Sequence, residues 1–282
     1  DNMLGAIIGD MVGSFYELKK AKSKKFNIYN INNRMTDDSY LTLAVAKVLM
    51  NNYPLDYSKN GLDKIKQELV NEFVRTFKLH PYVGYGALFV DWCLSANHEP
   101  YNSFGNGSAM RISPVGWIAN SEEEVKILSR TVSEITHNHI EGIKGAEAIA
   151  MCMYLARNGK DKEYIKNRMI KEYYPEIAFL DYDELVKNYT FNATCQGSVP
   201  QAIYCFLISD SLEDAIRNCA GIGGDTDTLG AMAGAVAEAY YQKDSVSYFE
   251  EMFIYLFIDN SCMDFIKKFY HIVGNRKFIS KE

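Results

Sequence analysis

At 282 residues the chain is long enough to bury roughly three-quarters of the surface its unfolded form exposes, so its core needs no staples. A formal net charge of −6 leaves no electrostatic footprint for general nucleic-acid binding, and the 48% hydrophobic content is that of a globular protein. No apolar run approaches the roughly 20 residues of a membrane-spanning helix, which argues against membrane insertion.

Helical periodicity dominates from the start. The first predicted helix covers 3–18, with Leu4, Ile7, Ile8, Met11, Val12 and Phe15 on one stripe and Gly5, Gly9 and Gly13 recurring every four residues beside it. Such a small-residue stripe suits a buried central helix approached closely by another backbone. Met3 is read as the native start, with Asp1 and Asn2 a remnant ahead of it; Asp10 breaks the apolar run too early for a signal sequence. Asp10 is expected to cap or pair within the core. Glu17, seven residues on and near the same face, sits at the helix end and is free to work.

Five lysines follow, at 19, 20, 22, 24 and 25. They read either as a solvated surface run or as a flap that draws in anionic substrate. Residues 26–31 alternate weakly and are read as a loop. A second helix opens at Thr36-Asp37-Asp38-Ser39, and further patterns cover 62–79, 84–96, 108–119, 122–136, 140–158 and 161–173. The loop Gly105-Asn106-Gly107-Ser108-Ala109-Met110-Arg111 opens one of these and is shaped for a phosphate nest. Arg111 is expected either to touch phosphate or to pair with a buried Asp. His137 and His139 flank a helix junction, where the expectation for His139 is contact with free carbonyls at a helix C-terminus.

Helical patterns resume at 183–189, 198–209, 211–220, 226–242, 245–258 and 261–273, with no Pro/Ser-rich linker and no repeat. The prediction is one all-α domain over 1–282, a compact many-helix fold. The six cysteines form no C-x-x-C pair and read as buried free thiols of a reducing compartment, hence the cytoplasm. The expected state is a monomer.

Two acidic clusters carry the chemistry: Thr36-Asp37-Asp38-Ser39, and Gly223-Gly224-Asp225-Thr226-Asp227-Thr228. Each opens a helix, and a single acid there would be an ordinary cap worth about 1 kcal/mol. A cap needs one oxygen, whereas each cluster offers two carboxylates and a threonine hydroxyl. The donors are all hard oxygens, which suits Mg²⁺ or Mn²⁺ and suits zinc poorly. Four carboxylates could balance two divalent ions about 3.5–4 Å apart.

Six segments, taken together and in order, resemble the ADP-ribosylglycohydrolase family: GAIIGDMVGSFYE at 5–17, TDDSYLTLAV at 36–45, GNGSAMRISPVG at 105–116, THNHIEGIKGAEA at 136–148, QGSVPQAI at 196–203 and GGDTDTLGAMAGAVAEA at 223–239. The resemblance implies an all-α fold holding two Mg²⁺ or Mn²⁺ ions through Thr36, Asp37, Asp38, Asp225, Asp227 and Thr228. It also implies that Glu17 is a glutamate on a flexible flap beside the metals, sharing proton transfer with Asp38. Residues Gly105, Asn106, Gly107, Ser108, Ala109 and Met110 would hold the ADP-ribose phosphates, His137 would line the same pocket, and Val199 would lie toward the adenine. Ser39 stands where many relatives have threonine, and the hydroxyl is kept. The implied substrate is an ADP-ribosylated protein or small molecule, cleaved at C1″. A two-metal phosphohydrolase on an ADP-ribose pyrophosphate, or a non-catalytic ADP-ribose binder, would use the same residues.

Overall fold

The computed structural model describes residues 3–19, 21–241 and 247–277. Asp1, Asn2 and Lys20 lie outside the described residues. In chain order the helices are α1 (Leu4–Lys19), α2 (Asp37–Asn51), α3 (Lys59–Leu79), α4 (Ala87–Leu94), α5 (Gly107–Met110), α6 (Ser113–Ile118), α7 (Glu122–Ser133) and α8 (Ile140–Arg157). They continue as α9 (Lys162–Glu172), a 3₁₀ turn (Pro175–Phe179), α10 (Tyr182–Asn188), α11 (Cys195–Leu207), α12 (Leu212–Ile222), α13 (Thr226–Tyr240), α14 (Tyr248–Phe257) and α15 (Asn260–Lys277). Among the described residues there is no β-sheet, only an isolated bridge between Gly105 and Thr194. The all-α prediction is met, and no helix of the described residues is long and apolar enough to cross a membrane.

The centre is a pair of antiparallel helices, α1 and α13. Their small-residue stripes face each other so closely that the backbones touch. A Cβ placed on Gly9 would fall on the carbonyl of Gly230, and one on Gly13 would fall on the carbonyl of Thr226. In return, a Cβ on Gly234 would fall on the carbonyl of Gly5. Any side chain here must push the helices apart, so glycine's roughly 1 kcal/mol helix cost is the smaller penalty. The pairing sets the register: the last turns of α1 meet the first turn of α13. At the other end Glu238 of α13 caps α1, its Oε2 accepting from the Gly5 amide at 2.9 Å.

Several predicted boundaries shift. The pattern over 108–119 divides into α5 and α6 around Arg111 and Ile112, because Pro114 has no amide to donate back and suits only a first turn. The pattern over 84–96 shrinks to α4, since Gly84 takes φ +115° ahead of it. The 26–31 segment is loop, as read. Five of the six cysteines are buried free thiols, with Cys262 half-buried.

The lysine run is tied down in part, with Lys19 and Lys25 exposed. Lys22 turns inward and donates to the carbonyls of Tyr189 at 2.8 Å and Ile222 at 2.6 Å. Lys24 pairs with Asp214 at 2.6 Å. Arg217 of α12 donates to the carbonyls of Lys24 and Phe26 and lies over the Phe26 ring. The segment after Glu17 is thus strapped onto α12.

Candidate functional site

Three helix ends meet where α1 and α13 cross. Asp10, wholly buried in the middle of α1, faces the start of α2. Its Oδ2 accepts from the Thr36 amide at 2.8 Å, the Ser39 amide at 3.1 Å and the Ser39 hydroxyl at 2.5 Å. Its Oδ1 accepts from the Thr36 hydroxyl at 2.6 Å. Thr36 is the N-cap of α2, its hydroxyl accepting from the Asp38 amide at 3.4 Å, and an acid from another helix adds to that cap by taking the Thr36 and Ser39 amides. The expected core role of Asp10 holds.

With the α2 start served by Thr36 and Asp10, the carboxylates of Asp37 and Asp38 are left for other work. Asp38 is buried, and its Oδ1 has no hydrogen-bond partner among the described residues. Asp37 remains partly exposed, with its amide held by the carbonyl of Val83 at 3.2 Å. The opposite acids come from the start of α13. There α12 ends in Gly223 and Gly224, both in the left-handed region at φ +78° and +87°, where a side chain would be strained. Asp225 follows, its Oδ2 accepting from the Asn106 side chain at 2.8 Å. Asp227 accepts the amide of Thr228 at 2.9 Å.

These acids form two overlapping groups. Asp10, Asp38 and Asp227 each bring one oxygen within 4.8 Å of the others, and so do Glu17, Asp225 and Asp227. Burial pushes Asp10 up to about 6 against its hydrogen bonds from Ser39 and Thr36, and burial with repulsion from neighbouring acids raises Asp37 to about 8 and Asp38 and Asp227 well above the usual range. Glu17 is raised by its half-burial and by Asp225. So many crowded carboxyls, one with an orphaned buried oxygen, fit a divalent cation, which relieves the repulsion without a proton.

The glycine loop borders this basin. The Asn106 amide donates to the carbonyl of Ala193 at 2.8 Å, and the Asn106 side chain ties the loop to Asp225 and to Ser198. Ser108 is buried and donates to the carbonyl of Gly142 at 2.6 Å; Ala109 and Met110 are buried as well. Gly107 and Ser108 open α5, and the first turn of a helix has no intrahelical acceptor for its amides. The loop therefore offers backbone donors, while its side chains turn inward. His137 is buried beside it: a Cβ on Gly107 would stand 3.1 Å from Nε2. Phe104, just before the loop, is 44% exposed with its ring 5.2 Å from that of His139.

Val199 is fully buried, close to Gly145 of α8, and its equally buried neighbour Ser198 hydrogen-bonds to the loop through Asn106. Two expectations are corrected. Among the described residues Arg111 pairs with no carboxylate. It is fully buried, donates to the Val132 carbonyl and the Thr136 hydroxyl, and lies over the Phe73 ring. His139 caps the N-terminus of α8, its Nδ1 accepting from the Glu141 amide at 3.0 Å, and does not meet C-terminal carbonyls. Sequence reasoning also missed that Asp10 belongs to the acidic basin. The one signal was a lone acid on the glycine-bearing face of a buried helix.

An all-α domain that gathers carboxylates from three helix ends beside a glycine loop defines a class of cation-fit sites. The chain's place within that class comes from comparison: residues 2–247 match the model of the ADP-ribosylglycohydrolase family, and the chain belongs to it. It is 26% identical to ADP-ribosylhydrolase ARH3 of Homo sapiens, covering 86% of this chain and 85% of that protein. It is 24% identical to the ADP-ribosyl-[dinitrogen reductase] glycohydrolase of Rhodospirillum rubrum, over 86% of this chain and 85% of the relative. With ADP-ribosylarginine hydrolase Tri1 of Pseudomonas putida (strain GB-1) it shares 25% identity, over 85% and 69%. A solved structure described as an ADP-ribosylglycohydrolase-related protein complex has the same fold, with TM-score 0.70, 18% identity and 96% of each chain covered.

Proposed function

We propose that this chain hydrolyses the C1″ glycosidic bond of an ADP-ribosylated protein or small molecule and releases ADP-ribose. The observation that carries the reading is the meeting of the two acidic helix starts beside a loop whose Gly107 and Ser108 amides open a helix. Thr36, Asp37, Asp38, Asp225, Asp227 and Thr228 would hold two Mg²⁺ or Mn²⁺ ions. When bound, the cations would supply positive charge against the crowded acids and the distal ribose hydroxyls.

The residues then divide the work. The Gly107 and Ser108 amides donate to the diphosphate, and the exposed ring of Phe104 offers a stacking face to the base. Cleavage builds oxocarbenium-like charge at C1″, which a ring of carboxylates stabilises. Glu17 stands at the end of a rigid helix, and its carboxylate accepts the proton of the attacking water or returns it to the leaving atom, with Asp38 as the second acid. Asn106 holds Asp225 in place for this basin. The five buried thiols suit a reducing cytoplasm, and the chain works as a monomer.

Product analysis tests the proposal. Incubation of ADP-ribosylated substrates with Mg²⁺ or Mn²⁺ is expected to yield free ADP-ribose and to stop in EDTA. AMP and ribose phosphate as products would make it a phosphohydrolase, and ADP-ribose binding with no turnover would make it a binder only.

A further inference from the structure

The buried arginine has an unusual setting. Arg111 is 0% exposed, and among the described residues no carboxylate pairs with it. A buried charge is costly without a purpose or a partner. Its Nη2 donates to the Val132 carbonyl at 3.1 Å and to Thr136 Oγ1 at 2.7 Å, while Nε and Nη1 make no hydrogen bond among the described residues. The Phe73 ring, 4.6 Å away, supplies only a cation–π contact. Thr136 Oγ1 is also 2.7 Å from His137 Nδ1 and 3.4 Å from the Ser133 carbonyl.

A guanidinium can only donate, so Thr136 Oγ1 accepts from Arg111 and has its single proton to give to another neighbour. Those neighbours are His137 Nδ1 at 2.7 Å, the Ser133 carbonyl at 3.4 Å and the Tyr101 hydroxyl. A proton given along the 2.7 Å contact makes Nδ1 the acceptor and puts the ring proton on Nε2. Burial and the neighbouring guanidinium both disfavour a second proton on the ring. Nε2 lies against Gly107 and Gly105, on the loop whose Gly107 and Ser108 amides open α5, and has no hydrogen-bond partner among the described residues.

We propose that Arg111, acting through Thr136, locks His137 in the neutral Nε2–H form, so that the histidine presents a fixed third donor beside the Gly107 and Ser108 amides to an anionic oxygen of the ligand. Arg111 and Thr136 are positioning residues. They touch no ligand, and they turn an imidazole that could accept into one that donates. The inference rests on the ADP-ribose reading only for the identity of the ligand. The locked tautomer belongs to the free protein.

The test uses the full chain labelled with ¹⁵N-histidine, with the His137 signals assigned by their loss in His137→Gln. In the wild type Nδ1 is expected at the unprotonated position and Nε2 at the protonated one, without ligand. Thr136→Val removes the hydroxyl and is expected to release the tautomer and to weaken ADP-ribose binding about tenfold by calorimetry, the worth of one hydrogen bond to a charged group. Thr136→Ser is expected to restore both. A wild-type Nδ1–H, an imidazolium, or an unchanged tautomer in Thr136→Val overturns the relay. Should Thr136→Val not fold, Thr136→Ser with a scrambled tautomer overturns it as well. A locked Nε2–H in a wild-type protein that does not bind ADP-ribose overturns the ligand assignment alone.

Discussion

The two acidic helix starts share one basin but are built by opposite means. At α2 the helix has its own Thr36 cap, reinforced from outside: Asp10 of α1 takes four hydrogen bonds, and the helix's own acids are left over. At α13 the N-cap residue is itself an acid, Asp225, yet it makes no cap hydrogen bond and is held instead by Asn106 across the basin. Sequence alone shows both as acids beside a helix start. The structure separates an acid that is fully hydrogen-bonded at a helix start, Asp10, from acids that the fold leaves crowded, one Asp38 oxygen having no partner among the described residues.

That contrast can be broken most forcefully at α13. Asp225→Ala combined with Asp227→Ala is expected to lower turnover well over a hundredfold, more than the 10- to 100-fold cost typical of losing an outer partner of a metal ligand. The cation-free protein should melt no lower, since the crowded carboxyls repel one another. Asp10→Ala should do the reverse in a melt. It strands two amides and two hydroxyls at the α2 start and is expected to cost about 3 kcal/mol. Denaturant unfolding of both variants without cation checks the pair; equal stability losses would erase the distinction.

Next in size is Glu17, which belongs to neither start. Glu17→Gln keeps the shape and removes the base, so turnover should fall about 10²-fold. ADP-ribose binding should stay within about 1.4 kcal/mol of wild type. Normal turnover by this variant would remove Glu17 from proton transfer.

The smallest effect is a dependence on pH. Asp10 at about 6 and Asp37 at about 8 are raised carboxyls, protonated more readily in the folded chain than in the unfolded one. Their favourable contribution is complete below the ordinary carboxyl range and is lost as pH rises through those values. A divalent cation stabilises the ionised forms and competes with the protons. The increase in melting temperature on adding Mn²⁺ should therefore grow from pH about 5 to pH about 8. A shift that is flat with pH would mean that the cation does not bind these carboxyls.

Much of this was legible in the sequence because its signals were local. The glycine stripe of α1, the two acid pairs and the glycine loop each stand within a dozen residues, and periodicity alone predicts the all-α class. What escaped was set by distant contacts. Val199 and Ser198 are adjacent in sequence and both buried, and only the fold decides that Ser198 is the one that meets the Asn106 side chain. Arg111 has the residue type of a phosphate ligand but bonds to Val132 and Thr136, more than twenty residues away. The inward turn of Lys22 depends on carbonyls that lie 167 and 200 residues further along.

The α1–α13 seam also says something about how the chain must be made. Thr226 donates to the Gly13 carbonyl across 213 residues, and Glu238 caps Gly5 across 233. The flattest, most glycine-rich face of α1 thus waits for a partner more than 200 residues further along the chain. Local contacts cannot close such a seam, and the loop entropy must be met before the acids from the two helices come together. A chain cut before α13 keeps Glu17 and Asp38 but lacks Asp225 and Asp227, so neither of the two overlapping carboxylate groups can form in it.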